Sequence, residues 1–357
     1  MKAPVWTRCA SLECIVALSL SACGNAQPLT PARGAVVRAS VTFEGSSRGD
    51  AIRLPPSTEN LYVANGGGSK GTVAVFKPGS SSPLRTISEG IDYPDWLAFD
   101  AKQHLYVANF GNNTVSAYDV DSTVVLRTIT KDIVEPGVVA VDPVDGYLYV
   151  GSVFGGVTVY QAKTGSYVRT IDAKAAALAV AFDQAGNIYV ANYLGSDGSV
   201  SVYSPKKNKL LRTITDGTDG AISLAFDSDE HLFVGNSYHS GASSVTEYAK
   251  GGSKPIRTIV ASLNYPVALA CDASRNLFVA NENTNTVTVY APGSTALSRA
   301  ITSGINVPVS LAFGPSGYLN VANAIGNSVT EYPPGSGKVS RKLTTGIDNP
   351  LFVTFGP

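Results

Sequence analysis

This 357-residue chain has few residues of the kinds that carry metal or redox chemistry. Four cysteines, three histidines and one methionine form neither a disulfide framework nor a zinc-type Cys/His cluster. Charged residues make up 15% of the chain, and 27 Lys and Arg balance 27 Asp and Glu. Since no basic excess is present, we expect no nucleic-acid partner. The chain also has no Gly-rich phosphate loop and no catalytic serine motif.

Strand- and turn-forming residues are abundant instead. The chain holds 35 glycines and 17 tyrosines, and 44% of its residues are hydrophobic. Many glycines and aromatic residues favour short strands joined by turns. A hydrophobic content this high is enough for a large core and excludes a disordered chain.

The N-terminus carries the parts of an export signal. Basic residues precede a short apolar run, Cys14–Leu20, which is far below the ~20 residues that span a bilayer. The tetrapeptide Leu20-Ser21-Ala22-Cys23 resembles the lipobox of bacterial lipoproteins. In that family the cysteine is diacylated and becomes the first residue of the mature chain. The alternative is an ordinary cleavable signal, with Cys23 a small residue near the cut.

The lipobox resemblance implies a domain plan and an address. Residues 1–22 would be the signal peptide, and residues 23–50 the lipidated N-terminus and a polar tether. Cys23 would then hold the protein at a membrane of the cell envelope, on the extracytoplasmic side. Gly24 follows it, and without Asp there the lipoprotein resemblance implies the outer membrane where the source has one.

The rest of the chain, residues 51–357, repeats one unit. The segment Leu61-Tyr62-Val63-Ala64-Asn65 occurs in seven versions spaced 40 to 45 residues apart. Each version is accompanied by three more runs of four to six apolar residues, fenced by turn-forming residues. Four short strands per repeat at this spacing predict an all-β, seven-bladed propeller of four-stranded antiparallel blades. We expect a monomer.

The ring can be closed by either end of the chain. The repeats supply seven second strands, seven third strands and seven outer strands, but eight candidates for the inner strand. The extra candidates are Ala51–Leu54 and Leu351–Phe355. The first would put Arg53 at a crowded position near the axis where the other repeats have alanine, which is costly for an unpaired charge. The second would put Thr354 there. We therefore predict closure by the C-terminal strand.

Three polar positions recur in a way that looks functional but that we interpret as structural. An arginine in every outer strand suits packing on the next blade, and an Asp after the inner strand suits bonding to turn amides. An Asn ends most second strands and can bond its own backbone, although pooled amides at one face could also hold a sugar or a metal. The asparagines are Asn65, Asn109, Asn192, Asn236, Asn281 and Asn323.

The runs Pro94–Asp100, Asn187–Asn192, Thr286–Tyr290 and Leu211–Ile214 resemble the NHL repeat and the regucalcin/gluconolactonase and streptogramin-lyase group of propellers. In these families a ligand site lies at one face of the ring. That face is formed by the loops that enter the inner strands and by the loops that join second to third strands. We call it the funnel face. The candidate binding residues there are Asp95, Trp96, Tyr193, Asp219, His239 and Glu282.

Two functions follow from these residues. The first is a non-enzymatic scaffold that binds a protein, a glycan or a small molecule at the funnel face. The alternative, implied by the resemblance, is a metal-dependent lactonase or lyase with Ca²⁺ or Mg²⁺ held by funnel carboxylates, since hard cations prefer oxygen ligands. The acids of this chain come from separate repeats, and His239 is the one loop histidine at this face, which favours the scaffold.

Overall fold

The computed structural model describes residues 59–171, 176–193, 198–237 and 243–357, and these residues form 28 strands and no helix. Within the same ranges, no helical segment has the length and apolar character of a membrane span. Cys23, His239 and the segment 51–54 lie outside the described residues.

Strand bounds follow the repeat closely. In chain order the strands are β1 Asn60–Asn65, β2 Thr72–Phe76, β3 Arg85–Ile87, β4 Pro94–Phe99, β5 Leu105–Asn109, β6 Thr114–Tyr118, β7 Arg127–Ile129, β8 Pro136–Val141, β9 Tyr147–Ser152, β10 Gly156–Gln161, β11 Tyr167–Ile171, β12 Ala176–Phe182, β13 Ile188–Tyr193, β14 Ser199–Tyr203, β15 Leu210–Ile214, β16 Ala221–Phe226, β17 Leu232–Asn236, β18 Ser244–Tyr248, β19 Pro255–Ile259, β20 Pro266–Cys271, β21 Leu277–Asn281, β22 Thr286–Tyr290, β23 Leu297–Ile301, β24 Pro308–Phe313, β25 Leu319–Asn323, β26 Ser328–Tyr332, β27 Arg341–Leu343 and β28 Pro350–Gly356.

The strands pair into seven four-stranded sheets, which are the blades of a propeller. Blade 1 has the order β28-β1-β2-β3, and blades 2 to 7 each take the next four consecutive strands, from β4 to β27. All pairs are antiparallel, as in Pro94 opposite Asn109 and Phe99 opposite Leu105 in blade 2. The predicted fold class is therefore confirmed.

The C-terminal strand closes the ring. β28 pairs with β1 along its length, with Tyr62 opposite Thr354. The Tyr62 hydroxyl also donates to the Pro357 carbonyl at 2.7 Å. Strands from the two ends of the repeat region thus share one sheet, as predicted from the alanine position.

The core lies between neighbouring blades. Second strands such as Leu105–Asn109 are buried at every position because each blade is covered on both faces. An aromatic residue of one second strand packs edge-on against the last residue of the next inner strand, as Tyr62 does on Phe99 at 4.8 Å and Tyr189 on Phe226 at 5.0 Å between ring centroids. These contacts join each blade to its neighbour.

The repeated Asp and Asn side chains have the structural roles expected of them. Asp100 accepts hydrogen bonds from the amides of Lys102 and His104, both at 2.9 Å. Asn109 is fully buried; its side chain accepts from the Asp92 amide at 3.1 Å and donates to the Gly90 carbonyl at 3.0 Å. The asparagines therefore fix the loops at the funnel face and do not present their amides to it.

Candidate functional site

Asp95 and Trp96 lie inside a strand. Both are near-fully buried, with exposed fractions of 0% and 2%, because the inner strand already begins at Pro94 and not after the two candidate residues. Trp96 stacks on Phe352 of the neighbouring inner strand, with ring centroids 4.1 Å apart. This stacked pair lies among the inner strands and does not form part of an exposed rim.

Below Trp96 and Phe352, away from the funnel face, a cavity of about 310 Å³ lies between the inner strands. Most of the residues that line it are aliphatic or aromatic. Glu59, next to the start of β1, adds a carboxylate. The remaining lining residues are Leu97, Ala98, Phe99, Val139, Ala140, Val141, Phe182, Leu311, Ala312, Phe313, Val353, Thr354 and Phe355.

Tyr193 and Glu282 approach each other through a third residue, Tyr265, which enters an inner strand. Tyr265 immediately precedes β20, and the Glu282 amide donates to its carbonyl at 3.2 Å. Burial raises the pKa of the Tyr265 phenol, and the nearby Glu282 charge and Tyr193 raise it further. Tyr193, Tyr265 and Glu282 therefore form one polar and aromatic cluster at the funnel face. Asp219 is exposed, one residue before Gly220, whose Cα lies near the Tyr193 ring.

The residues that enter the inner strands share an unusual backbone conformation. Tyr93, Glu135, Tyr265, Val307 and Asn349 have φ between 45° and 60°, and each precedes a proline. Left-handed φ in such residues costs of order 1–3 kcal/mol and persists only where the surroundings fix it. The equivalent residue of blade 5 is Gly220, with φ 66°. A glycine at this position is the one sequence signal for the left-handed conformation.

The preceding blade holds these strained residues in place. The Glu135 amide donates to the side-chain oxygen of Asn113 at 2.7 Å, and the Val307 amide does the same to Asn285 at 2.6 Å. The Asn349 amide likewise donates to a side-chain oxygen, that of Asn327, at 2.8 Å. These bonds connect successive blades, so the funnel face is a preorganised surface.

Several large side chains stand on this surface. Phe110 and Tyr93 contact each other with ring centroids 6.2 Å apart. Phe154, in the turn between β9 and β10, is 58% exposed, and Ile325, in the turn between β25 and β26, is 57% exposed. Phe154 and Ile325 are therefore accessible to a partner that approaches the funnel face.

Among the described residues, no three His, Cys, Asp or Glu side chains are grouped so that they could hold a metal ion. Asp95, Asp219 and Glu282 are thus not brought into such a group. His104 and His231, both described, serve elsewhere: the His104 ring bonds to Asp100 and the His231 ring to Glu247, each at 2.7 Å.

No protein-family model and no curated protein matches the chain. A solved structure, that of Kuenenia stuttgartiensis hydrazine synthase, is similar, with a TM-score of 0.59 and 15% sequence identity. The match covers 67% of this chain and 76% of that chain. At this identity the likeness shows the propeller fold alone. Membership of the NHL-repeat group stays a prediction.

Proposed function

We propose that this chain is a lipid-anchored extracytoplasmic binding protein that recognises its partner through the funnel face of the propeller. The partner is a protein, a glycan or a small molecule. The proposal joins two parts, a lipid on Cys23 and a recognition surface on the ring, and each part has its own test.

One observation supports the recognition surface above the others. The residue after the second strand's terminal Asn or Ser, at the funnel face, differs in all seven blades: Gly66, Phe110, Val153, Tyr193, Ser237, Glu282 and Ala324. By contrast, the outer-strand arginine is the same in every blade. A position that serves the ring repeats its residue, so variation at this position supports a role in recognition where the side chain is accessible. Phe110, Tyr193 and Glu282 are partly exposed, whereas the other four residues are buried.

Phe154 and Val144 offer a matched test of this surface. They belong to the same blade, on opposite faces, and are 58% and 61% exposed. A photo-crosslinking amino acid is placed at either position in the full chain, produced in cells. We expect adducts of discrete mass from position 154, measured by intact mass spectrometry and gel shift, and none from position 144.

The same replacement at Ile325 extends the test to blade 7, four blades further along the chain and again on the funnel face. Absence of adducts from both position 154 and position 325, or equal labelling from position 144, would contradict recognition by the funnel face.

The lipid anchor is tested at Cys23. Replacing Cys23 by Ser removes the thiol that the acyl group needs, so we expect loss of labelling by a fatty-acid analogue and a precursor that is unprocessed or released from the membrane. Replacement of Cys14, within the predicted signal peptide, is the control and should leave labelling intact. Fatty-acid labelling of the Cys23→Ser chain would show that the lipobox interpretation is wrong.

A further inference from the structure

Each outer strand carries one arginine at the same register position, and its guanidinium needs an oxygen acceptor. In blades 1 to 4 the second-strand residue in the same register as this arginine is a tyrosine: Tyr62, Tyr106, Tyr149 and Tyr189. Arg85 donates to the Tyr62 hydroxyl and Arg212 to the Tyr189 hydroxyl, both at 2.9 Å.

Blades 5 and 7 lack the tyrosine and supply a carboxylate from the third strand. Glu247 pairs with Arg257, and Glu331 pairs with Arg341 at 2.6 Å.

In blades 2 and 3 the acceptors are other oxygens. Arg127 donates to the Ala162 carbonyl at 2.7 Å. Arg169 donates to the Asn208 side-chain oxygen and the Lys206 carbonyl. The arginine therefore has at least one oxygen acceptor in each of these six blades, 1 to 5 and 7.

Blade 6 has neither group. Phe278 stands where the tyrosine would be and Val289 where the glutamate would be, in the same register with Arg299. In the part of the chain that the structure describes, the Arg299 side chain makes no hydrogen bond or ion pair, and its Nε is buried without a partner. Three other outer-strand arginines also have a buried Nε without a partner, but their other guanidinium nitrogens have acceptors: Arg85, Arg212 and Arg341. The Arg299 guanidinium lies over the Phe278 ring, with the guanidinium carbon 5.5 Å from the ring centroid.

Blades 4 and 6 have matching hydrogen bonds around the Asp that follows the inner strand, except at one hydroxyl. In blade 4, Asp183 accepts from the Asn187 side chain at 2.7 Å and from the Tyr189 hydroxyl at 3.3 Å. That same hydroxyl accepts from Arg212, so it bridges a carboxylate and a guanidinium.

In blade 6, Asp272 accepts from the Asn276 side chain at 2.8 Å, and the bridging hydroxyl is missing. Asp272 and Arg299 are left facing the position that a phenol oxygen holds in blade 4.

A pocket of about 250 Å³ occupies this position, between blades 6 and 7 and away from the funnel face. Asp272 and Arg299 both line it, with Ser274 and Ser336 as further polar residues. Its other walls are mainly apolar: Ala273, Phe278, Phe313, Gly317, Leu319, Pro333, Pro334 and Gly335. A few converging polar groups on apolar walls are typical of a small-molecule site, and the volume is below the ~300–1,000 Å³ of drug-sized ligands.

The charges of the lining select the ligand. One carboxylate and one guanidinium balance, so the lining carries no net charge that would favour an ion of either sign over a neutral ligand. A hydroxyl can donate to the first and accept from the second at once, as the Tyr189 hydroxyl does. Further hydroxyls would meet Ser274 and Ser336, while C–H groups would pack on Phe278 and Leu319.

We propose that the pocket between blades 6 and 7 binds a small neutral polyhydroxy compound of monosaccharide size, one hydroxyl of which donates to Asp272 and accepts from Arg299. The site is separate from the funnel face and does not depend on the function proposed there.

The test titrates the full chain with D-glucose, D-galactose, D-mannose and D-ribose by calorimetry, with sodium benzoate as an anionic probe of similar size. We expect at least one of the four sugars to bind and benzoate not to bind. Two variants satisfy Arg299 from within the protein: Phe278→Tyr copies blade 4, and Val289→Glu copies blades 5 and 7. Each should weaken sugar binding about tenfold or more, which corresponds to ~1.4 kcal/mol.

Val144→Thr is the control, since it adds a hydroxyl in blade 3 at an exposed site that lies outside both the pocket and the funnel face. It should leave sugar binding unchanged. Because the two blade 6 variants introduce groups that other blades already hold, we expect both to fold, which their melting curves check. The proposal is overturned if none of the four sugars binds, if binding survives both blade 6 variants, or if benzoate binds and the sugars do not.

Discussion

At the scale of single residues, the seven repeats serve as controls for one another. Cys271 takes the place that Phe99 and Phe313 hold in other inner strands, and it pairs with Leu277 as Phe99 pairs with Leu105. It is 3% exposed and therefore buried. Buried thiols in apolar surroundings react slowly. This position is therefore structural whether it holds a phenylalanine or a cysteine.

The Tyr189 and Phe278 positions give a reciprocal prediction of stability. Tyr189→Phe removes the hydroxyl that bonds Arg212 and Asp183, and we expect a loss of about 1–2 kcal/mol, since hydrogen bonds to charged groups are the stronger ones. Phe278→Tyr adds the same hydroxyl beside Arg299 and should stabilise by up to about 1 kcal/mol. Urea unfolding of the two variants measures both effects, and shifts of the same sign would contradict the equivalence of blades 4 and 6.

At the scale of strands, tyrosines at the ends of third strands tie each strand to the loop that enters its blade. The Tyr118 hydroxyl donates to the Glu89 carbonyl at 2.5 Å, and the Tyr332 hydroxyl to the Ser303 carbonyl at 2.6 Å. The tyrosines at Tyr160, Tyr248 and Tyr290 make the same type of bond. Each of these bonds fixes a loop whose far end lies at the funnel face.

These strand tyrosines predict a loss of stability in alkali. Burial is the main cause that raises the pKa of Tyr118 and Tyr160 to about 12. In the unfolded chain the same phenols ionise near pH ~10. Their contribution to stability is therefore fully present below about pH 10 and is lost as pH rises from about 10 to about 12. Thermal melts across this range should show a falling midpoint, and an unchanged midpoint up to about pH 11 would contradict the burial.

At the scale of the whole molecule, the ring depends on β28. This strand pairs with β1 and brings Phe352 against Trp96 of the next inner strand. The Val353 amide also donates to the Ser310 hydroxyl of blade 7 at 3.2 Å. β28 thus contacts the blades on both sides of it.

Deletion of residues 346–357 tests this dependence. Without β28, the second strand of blade 1 and two neighbouring inner strands lose their partner, so we expect the whole ring to melt at a much lower temperature. The fall in Tm should exceed by far the ~2–4 °C that ~1 kcal/mol represents in a domain of ~150–250 residues. Deletion of residues 25–34 in the predicted tether is the control. Melting of the truncated chain within about a degree of the intact one would mean that another segment fills the slot.

The sequence by itself determined the architecture, because the repeat expresses local chemistry. Apolar runs of four to six residues between turn residues specify strands, and their spacing specifies the number of blades. Even closure was readable, since Thr354 fits a position that is otherwise alanine and Arg53 does not. The roles of Asp100 and Asn109 were readable for the same reason: their partners lie within or directly before the repeat.

Only the tertiary structure decided the candidate sites, because they join residues from different blades. Alignment did not show that Asp95 and Trp96 lie within a strand, or that Tyr193 and Glu282 meet at Tyr265. Left-handed φ at Tyr93 and Val307 depends on hydrogen bonds from the preceding blade. The pocket at Arg299 depends on which turn of blade 7 faces it. A repeat fixes what every blade shares, whereas a site arises where one blade differs and its neighbour leaves space.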